Sequence, residues 1–446
     1  MIKAQTSIRN SAAARWTALC IVSFTMMAAY FFTDVMSPMK TLLENRMGWD
    51  SSDYGFFTSA YGWFNVFFLM LILGGLILDK MGVRFTGLAS ASLMVIGAVI
   101  KYYAISTPAL ADTLIIGING QVMIASLGFA VFGVGCEVSG ITVSKIIVKW
   151  FKGKEMATAM GLQVALARIG TGLALLVTVP VAEHFKSIPA PILLGAIALC
   201  AGLVAFFIYT FMDKKLDQEI NSALNGGDEE GFRLSDVKVI LTNKGFWLIA
   251  LLCVLFYSCV FPFLKYAADL MVNKFSVDPK LAGAIPSLLP FGTILLTPLF
   301  GGIYDKKGKG ASIMILGAFL LLLVHVLFSV PFLNSWILAV VLMIVLGVAF
   351  SLVPSAMWPS VAKIIPEKQL GTAYALIFWI QNIGLMGVPF LVGKVLENFC
   401  KIPTTDGSIA YDYTLVMEIF SVFALLSIFV AFALKKEDKK KGYGLE

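Results

Sequence analysis

The chain has 446 residues, 59% of them hydrophobic and 14% charged, with a net charge of +7 and a mean hydropathy of +0.88. A soluble protein carries about 25% charged and ~45–50% apolar residues, so soluble enzymes, nucleic-acid binders and disordered scaffolds are excluded. The bases sit in short loops between apolar runs, which ties the positive charge to membrane topology rather than to nucleic acid. This composition belongs to a polytopic membrane protein.

Residues 1–15 are polar and no small-residue cleavage site follows the first apolar run, so that run reads as a retained span. A spanning helix needs about 20 apolar residues. Such runs fall near 16–37, 54–78, 84–104, 113–141, 156–182, 190–211, 246–272, 281–304, 311–331, 335–358, 368–396 and 411–434. The long polar stretch 212–245, with Gly226, Gly227 and the acidic run Asp228–Glu230, divides these twelve helices into six and six. We therefore expect an all-α membrane protein of two six-helix bundles, 1–211 and 246–446, joined by a cytoplasmic linker and ending in the basic tail Lys435–Lys441. With both termini in the cytoplasm, 24 of the 34 Lys and Arg fall on that side and 8 on the other, with Arg168 and Lys265 inside spans. Basic residues concentrate in cytoplasmic loops, so both termini are expected inside.

Five cysteines, Cys20, Cys136, Cys200, Cys253 and Cys259, lie in apolar stretches and Cys400 lies in a loop, with no CxxC pair. Neither a disulfide framework nor a metal site is implied. His184 stands at a loop edge and His325 alone in an apolar helix, and there is no HExxH, P-loop or G-x-S-x-G. The sequence thus calls for no catalysis, no cofactor and no ATP-driven step. Transport would run down a gradient of the substrate or of a coupled ion.

An internal repeat supports the division. Gly75-Leu-Ile-Leu-Asp79-Lys80-Met-Gly82 follows the second span, and Gly301-Gly-Ile-Tyr-Asp305-Lys306-Lys-Gly308 follows the eighth. Both read G-x-x-x-D-K-x-G, with the aspartates 226 positions apart. A loop this short must reverse tightly, which glycine permits. Each aspartate can face the positive N-terminus of a neighbouring helix.

This pattern resembles the signature loop of the major facilitator superfamily, whose fold is two six-helix bundles around a substrate cavity. Two superfamily signatures are absent: no Gly-Pro pair stands in Ala167–Ala182, and Phe129 replaces the arginine of span four that couples protons in many members. Gly135-Cys-Glu137, Trp150-Phe-Lys-Gly-Lys-Glu155, Gly161-Leu-Gln163, Ala167-Arg168-Ile-Gly170, Val260-Phe-Pro-Phe263, Leu370-Gly-Thr-Ala-Tyr374 and Ile380-Gln381-Asn382 resemble the lysosomal dipeptide transporter family more narrowly. So do Tyr30-Phe31 before Asp34, and Tyr61-Gly-Trp63-Phe-Asn65. The resemblance implies that Glu137 and Arg168, 31 positions apart, bind the two termini of a dipeptide. With no dileucine sorting signal and no Asn-x-Ser/Thr sequon, it implies a prokaryotic relative in the bacterial inner membrane.

Charges at membrane depth are functional candidates, since a central Arg costs about 2.5–3.5 kcal/mol even on insertion scales. Glu137 and Arg168 form either a permanent bridge between two helices or a clamp taking the α-ammonium and the carboxylate of a zwitterion, Arg168 by paired hydrogen bonds. Asp34, at the outer end of span one, is a proton site, a second ammonium contact or a helix-end charge. Lys265 and Asp269, four apart on span seven, are expected to pair with each other, as a gate or a snorkelling pair. Tyr61 and Gln381 are candidate cavity residues, with Gln163, Asn65, Tyr374 and Asn382 behind them. Trp358-Pro359, Pro298, Pro354 and Pro389 read as bends that let bundles rock.

The expected function is an alternating-access carrier of small zwitterionic peptides, facilitative because the span-four arginine is missing, with protons as the possible coupling ion through Asp34 or Glu137. Asp79, Arg84 and Asp305 are expected to latch the cytoplasmic side. One chain holds a complete cavity, so a monomer in a lipid bilayer suffices. An organic-anion carrier and a transport-dead nutrient sensor are the alternatives.

Overall fold

The structure, a computed structural model, describes residues 11–151, 154–221, 234–404 and 409–446. Gly226, Gly227 and the acidic run Asp228–Glu230 lie outside the described residues, as do Lys152 and Gly153 of the Trp150–Glu155 run. Lipid offers the backbone no hydrogen bonds, so each apolar run closes its own by coiling. The helices are α1 (Ala12–Asp34), α2 (Lys40–Met47), α3 (Ser51–Ser59), α4 (Trp63–Phe67), α5 (Met70–Ser106), α6 (Gly120–Phe151), α7 (Met156–His184) and α8 (Pro189–Asn221). They continue as α9 (Leu234–Leu241), α10 (Lys244–Phe275), α11 (Ala284–Lys307), α12 (Gly310–Ser329), α13 (Trp336–Ile364), α14 (Leu370–Phe399) and α15 (Thr414–Lys441).

Eleven of the described helical stretches are long and apolar enough to cross a membrane. The count hides one crossing. At about 1.5 Å per residue the 37-residue α5 is far longer than the ~30 Å hydrocarbon core. It turns at Gly82, where φ is 76° and ψ 174°. Gly308, between α11 and α12, has φ 64°. The repeated glycines thus both take a backbone that a Cβ would strain, and both make the tight reversal the motif requires.

The second crossing differs from expectation. In place of one helix near 54–78, it is α3, a 3₁₀ turn at Ala60–Gly62, the short α4 and the start of α5. Leu69, with φ 54°, breaks it at mid-depth. Glycine-free left-handed backbone at this point bends the helix without a proline. The fourth crossing runs ten residues past its expected end, to Phe151. The expected linker is partly helical too, since α8 continues to Asn221 and α9 precedes α10.

Packing gathers the helices into two bundles. In the first, α1 lies against α7 and α8, and α5 against α6 and α8; in the second, α12 lies against α13 and α15, α11 against α13, and α10 against α14 and α15. The bundles meet where α3 crosses α14, where α7 crosses α11, and where the turn Ser37–Met39 meets α10. At the first crossing the backbones nearly touch: a Cβ on Gly55 would stand 2.8 Å from the Gly393 Cα. Small residues allow such approach between helices in lipid. These meeting points lie toward the face that carries Trp49 and the hairpins Leu114–Asn119 and Lys401–Tyr411. On the face that carries Gly82, Gly308 and α9 the ion pairs among the described residues stay within one bundle. The bundles are thus tied by ion pairs on the hairpin face and, among the described residues, by none on the linker face.

Candidate substrate site

Glu137 stands near the middle of α6. Arg168 stands near the middle of α7. Glu137 is half-buried between Cys136 and Val138, both buried, and Arg168 is half-buried beside buried Ala167. Counted along α6 and α7, the two charged groups stand at similar depth.

They do not pair with each other here. The Glu137 carboxylate accepts a hydrogen bond of 2.8 Å from the Tyr61 hydroxyl. Tyr61 sits in the 3₁₀ turn of the broken second crossing, and its ring lies 5.5 Å from Phe129, which stacks on Phe57 and Phe132. The residue in place of the superfamily arginine is thus the floor under the tyrosine that holds Glu137. The Arg168 guanidinium lies 5.0 Å from the Phe350 ring, 5.4 Å from Phe261 and 5.9 Å from Tyr30. Phe261 and Phe350 belong to the second bundle, so this cation–π cage joins the two bundles. Among the described residues the guanidinium has no carboxylate partner and no hydrogen-bond acceptor. Its planar fork is unused.

The other candidates fall in different places. Gln381 is buried and accepts from the Cys253 thiol of the same bundle at 3.5 Å. Asn65 and Asn382 are fully buried and donate back to their own helices, to the carbonyls of Tyr61 and Phe378. Trp358, expected as part of a bend, is also a contact: its indole donates to the Tyr257 hydroxyl at 3.1 Å, and Tyr374 donates to its carbonyl at 3.2 Å. His325 is packed, between Phe263 and Phe420.

The expected Lys265–Asp269 pair does not form. Lys265 reaches across to the first bundle, 2.6 Å from Asp34 and 2.8 Å from the Thr33 carbonyl. Asp269 binds Lys40 at 3.0 Å and Thr41 at 2.8 Å, and accepts from Tyr413. Spacing of four places two side chains on one helix face, but that face of α10 is pressed against the first bundle, and each charge takes its partner from there. Asp34 is accordingly buried in an ion pair on the sealed side, with Ser37 donating to it at 3.3 Å.

Asp79 and Arg84 are held inside the first bundle. Asp79 pairs with Lys145 at 2.9 Å; Arg84 pairs with Asp217 at 3.1 Å and lies 3.8 Å from Asp213. Asp305 is exposed and has no ion pair among the described residues. In this state none of the three bridges the bundles.

Two buried lysines escape a reading by sequence. Lys40 and Lys101, which the base count places with the loops, are 2% and 0% exposed. For Lys101 a signal existed, since it stands inside the apolar run 84–104. The aromatic residues around Arg168 carried none, because 35 phenylalanines in an apolar chain mark no particular place.

Two helical bundles, a glycine reversal repeated in each half and a mid-helix arginine held between rings of both bundles fit a secondary-transporter architecture. Residues 19–389 and 263–443 match the Major Facilitator Superfamily. The chain belongs to that superfamily and is a multi-pass integral membrane protein of the transporter class. It is 29% identical over 389 residues to the lysosomal dipeptide transporter MFSD1 of Danio rerio, which covers 85% of this chain and 79% of that protein. The Homo sapiens protein of that name is 28% identical over 398 residues, covering 86% and 80%. A probable chloroplastic anion transporter of Oryza sativa is 23% identical over 281 residues, 60% of this chain and 48% of that protein. Among solved structures, the nucleoside transporter NupG superposes with a TM-score of 0.67 at 17% identity, covering 95% of this chain and 99% of that one. A D-xylose–proton symporter does so with a TM-score of 0.67 at 15% identity, covering 93% and 97%. At such identities these two speak for the fold alone.

Proposed function

We propose that the protein carries small zwitterionic peptides, dipeptides first among them, by alternating access. The observation that carries this reading is the unpartnered Arg168 guanidinium, facing the gap at the depth of a carboxylate that Tyr61 already orients. Arg168 takes the substrate carboxylate through two parallel N–H···O bonds, and Glu137 takes the α-ammonium. The peptide's own charges thereby satisfy two groups that are costly to leave bare at membrane depth. The aromatic cage and the backbone between them accept varied side chains. The curated relatives named as dipeptide transporters support the same substrate class.

Residues 1–211 and 246–446 are the two rocking units, and both termini face the cytoplasm of a bacterial inner membrane, in keeping with the excess of bases on the linker face. The state described is then closed to the outside and open inward. Asp34 pairs across the closed side, and Asp79, Arg84 and Asp305 act on the inner side when it closes. The carrier works as a monomer.

Uptake of a labelled dipeptide into vesicles holding the purified protein, with and without an imposed proton gradient, tests the reading alongside Arg168→Ala. Uptake without the gradient, lost in the variant, is the expected result. Uptake only with inward protons would move Asp34 or Glu137 into proton transfer. No uptake of any dipeptide by folded protein would overturn the substrate assignment. Glu137→Gln separates the organic-anion carrier, which would bind more tightly without that carboxylate, and binding without counterflow would identify a sensor.

A further inference from the structure

Lys101 is the one fully buried charged side chain of α5, and its surroundings are unusual for an ammonium. Its Nζ lies 4.0 Å from the Phe32 ring, 4.5 Å from Phe129 and 5.4 Å from Phe57. Its hydrogen bond, 3.3 Å long, goes to the Phe32 carbonyl. An ammonium has three donors, and among the described residues no carboxylate lies within ion-pair distance of this one. Aromatic faces hold a desolvated cation, but they leave two of its protons without an acceptor.

Nearby, the end of α1 carries a second lysine. Lys265, from the other bundle, donates to the next carbonyl, that of Thr33, and to the Asp34 carboxylate. Two ammonium groups thus bracket consecutive carbonyls beside one aspartate, and both lie over the same ring, Phe129, Lys101 at 4.5 Å and Lys265 at 5.9 Å. The arrangement is asymmetric in one respect. Lys101 and Asp34 move together as parts of the first bundle, while Lys265 belongs to the second.

We propose that Lys101 is the alternate counter-ion of Asp34, a positioning residue for the transport cycle. With the hairpin face sealed, Lys265 neutralises Asp34 and Lys101 waits in its aromatic cage. When the bundles part on that face, α10 withdraws Lys265. A buried carboxylate left alone there would oppose the movement, and Lys101, on a flexible four-carbon stem, swings from the Phe32 carbonyl to Asp34. Opening then exchanges one ion pair for another rather than breaking one. The inference rests on the alternating-access reading, and not on the identity of the substrate.

Spin labels on Ile116→Cys and Phe332→Cys, exposed loop positions of the two bundles on the hairpin face, report its opening in a Cys20→Ser, Cys200→Ser background. In the protein reconstituted in nanodiscs, Lys101→Met should cut the long-distance population about tenfold, while Lys265→Met should raise it, since each removes the partner of one state. Lys101→Met should also melt at a higher temperature, because methionine suits an aromatic cage better than an ammonium does, and should exchange substrate more slowly at unchanged affinity. Populations unaltered by Lys101→Met, or shifted the same way by both variants, would overturn the swap, as would a lower melting temperature with normal exchange. If the parent protein shows no long-distance population in any condition, the alternating-access reading itself fails and the swap with it. Failure of every dipeptide to bind would leave these distances interpretable and touch only the substrate assignment.

Discussion

The two faces of the molecule differ in whether any of their ion pairs cross between the bundles. On the hairpin face two pairs cross, Lys265 to Asp34 and Lys40 to Asp269, with both members of the second pair buried, beside the within-bundle pairs of Arg46 with Glu183 and Lys401 with Glu397. On the linker face the pairs stay within one bundle: Asp79 with Lys145, Arg84 with Asp217, and Lys149 with Asp213 in the first, and Lys244 with Glu437 in the second. A pair that crosses must break or change partners when the bundles rock, whereas one that stays inside travels with its bundle. The difference marks which charges belong to the conformational change and which to the integrity of each half.

The largest effect is expected where a crossing pair is buried. Asp269→Ala leaves the Lys40 ammonium buried with Glu44, 3.6 Å away, as its remaining carboxylate. Removing one partner of a buried pair costs about 3–5 kcal/mol, and Glu44 should hold the loss near the lower end. The expected readout is a lower melting temperature together with more opening of the hairpin face. A variant as stable as the parent would show that this seal carries no energy. Next in size is Arg168→Lys, which keeps the charge and removes the fork; with charged hydrogen bonds worth about 1.5–3 kcal/mol each, dipeptide uptake should fall about tenfold or more, and Arg168→Ala further. Equal uptake by the lysine variant would rule out paired recognition of the carboxylate.

Tyr61→Phe sharpens the comparison at mid-depth. It removes the hydrogen bond to Glu137 while keeping the ring on Phe129, so affinity should fall about tenfold, in line with roughly 1.5 kcal/mol for one hydrogen bond to a charged group. A loss as large as that of Glu137→Gln would mean that the tyrosine itself touches substrate. The smallest effect belongs to the linker face. Lys145 and Asp79 are each about a third exposed, and pairs of that kind contribute roughly 0–1 kcal/mol. Lys145→Ala should leave the melting temperature nearly unchanged, and a large fall would erase the contrast between the faces.

Much of the architecture was legible before any coordinates. Hydropathy placed the crossings because lipid forces each apolar run into a helix of nearly fixed length. The repeated G-x-x-x-D-K-x-G placed the reversals because only glycine takes the backbone found at Gly82 and Gly308. Glu137 and Arg168 stood out because a charge at mid-depth is expensive wherever the chain folds. The break at Leu69 was not legible, since a leucine in left-handed conformation has no sequence signal. The partner of Gln381 was not legible for a related reason: helical periodicity shows that Tyr374 and Gln381 share a face, but not that Cys253 of α10 meets it.

The sequence by itself therefore determined the number of crossings, the paired reversals and the charges buried among apolar residues. Those follow from local chemistry: hydropathy, backbone freedom and the cost of desolvation. Only the tertiary structure decided that Lys265 answers Asp34 rather than Asp269, that Asp269 answers Lys40, and that Lys101 waits among three aromatic rings. Spacing along a helix ranks neighbours on that helix alone. Which ammonium a buried carboxylate meets is set by how two bundles pack, and a carrier that rocks gives the same carboxylate more than one answer.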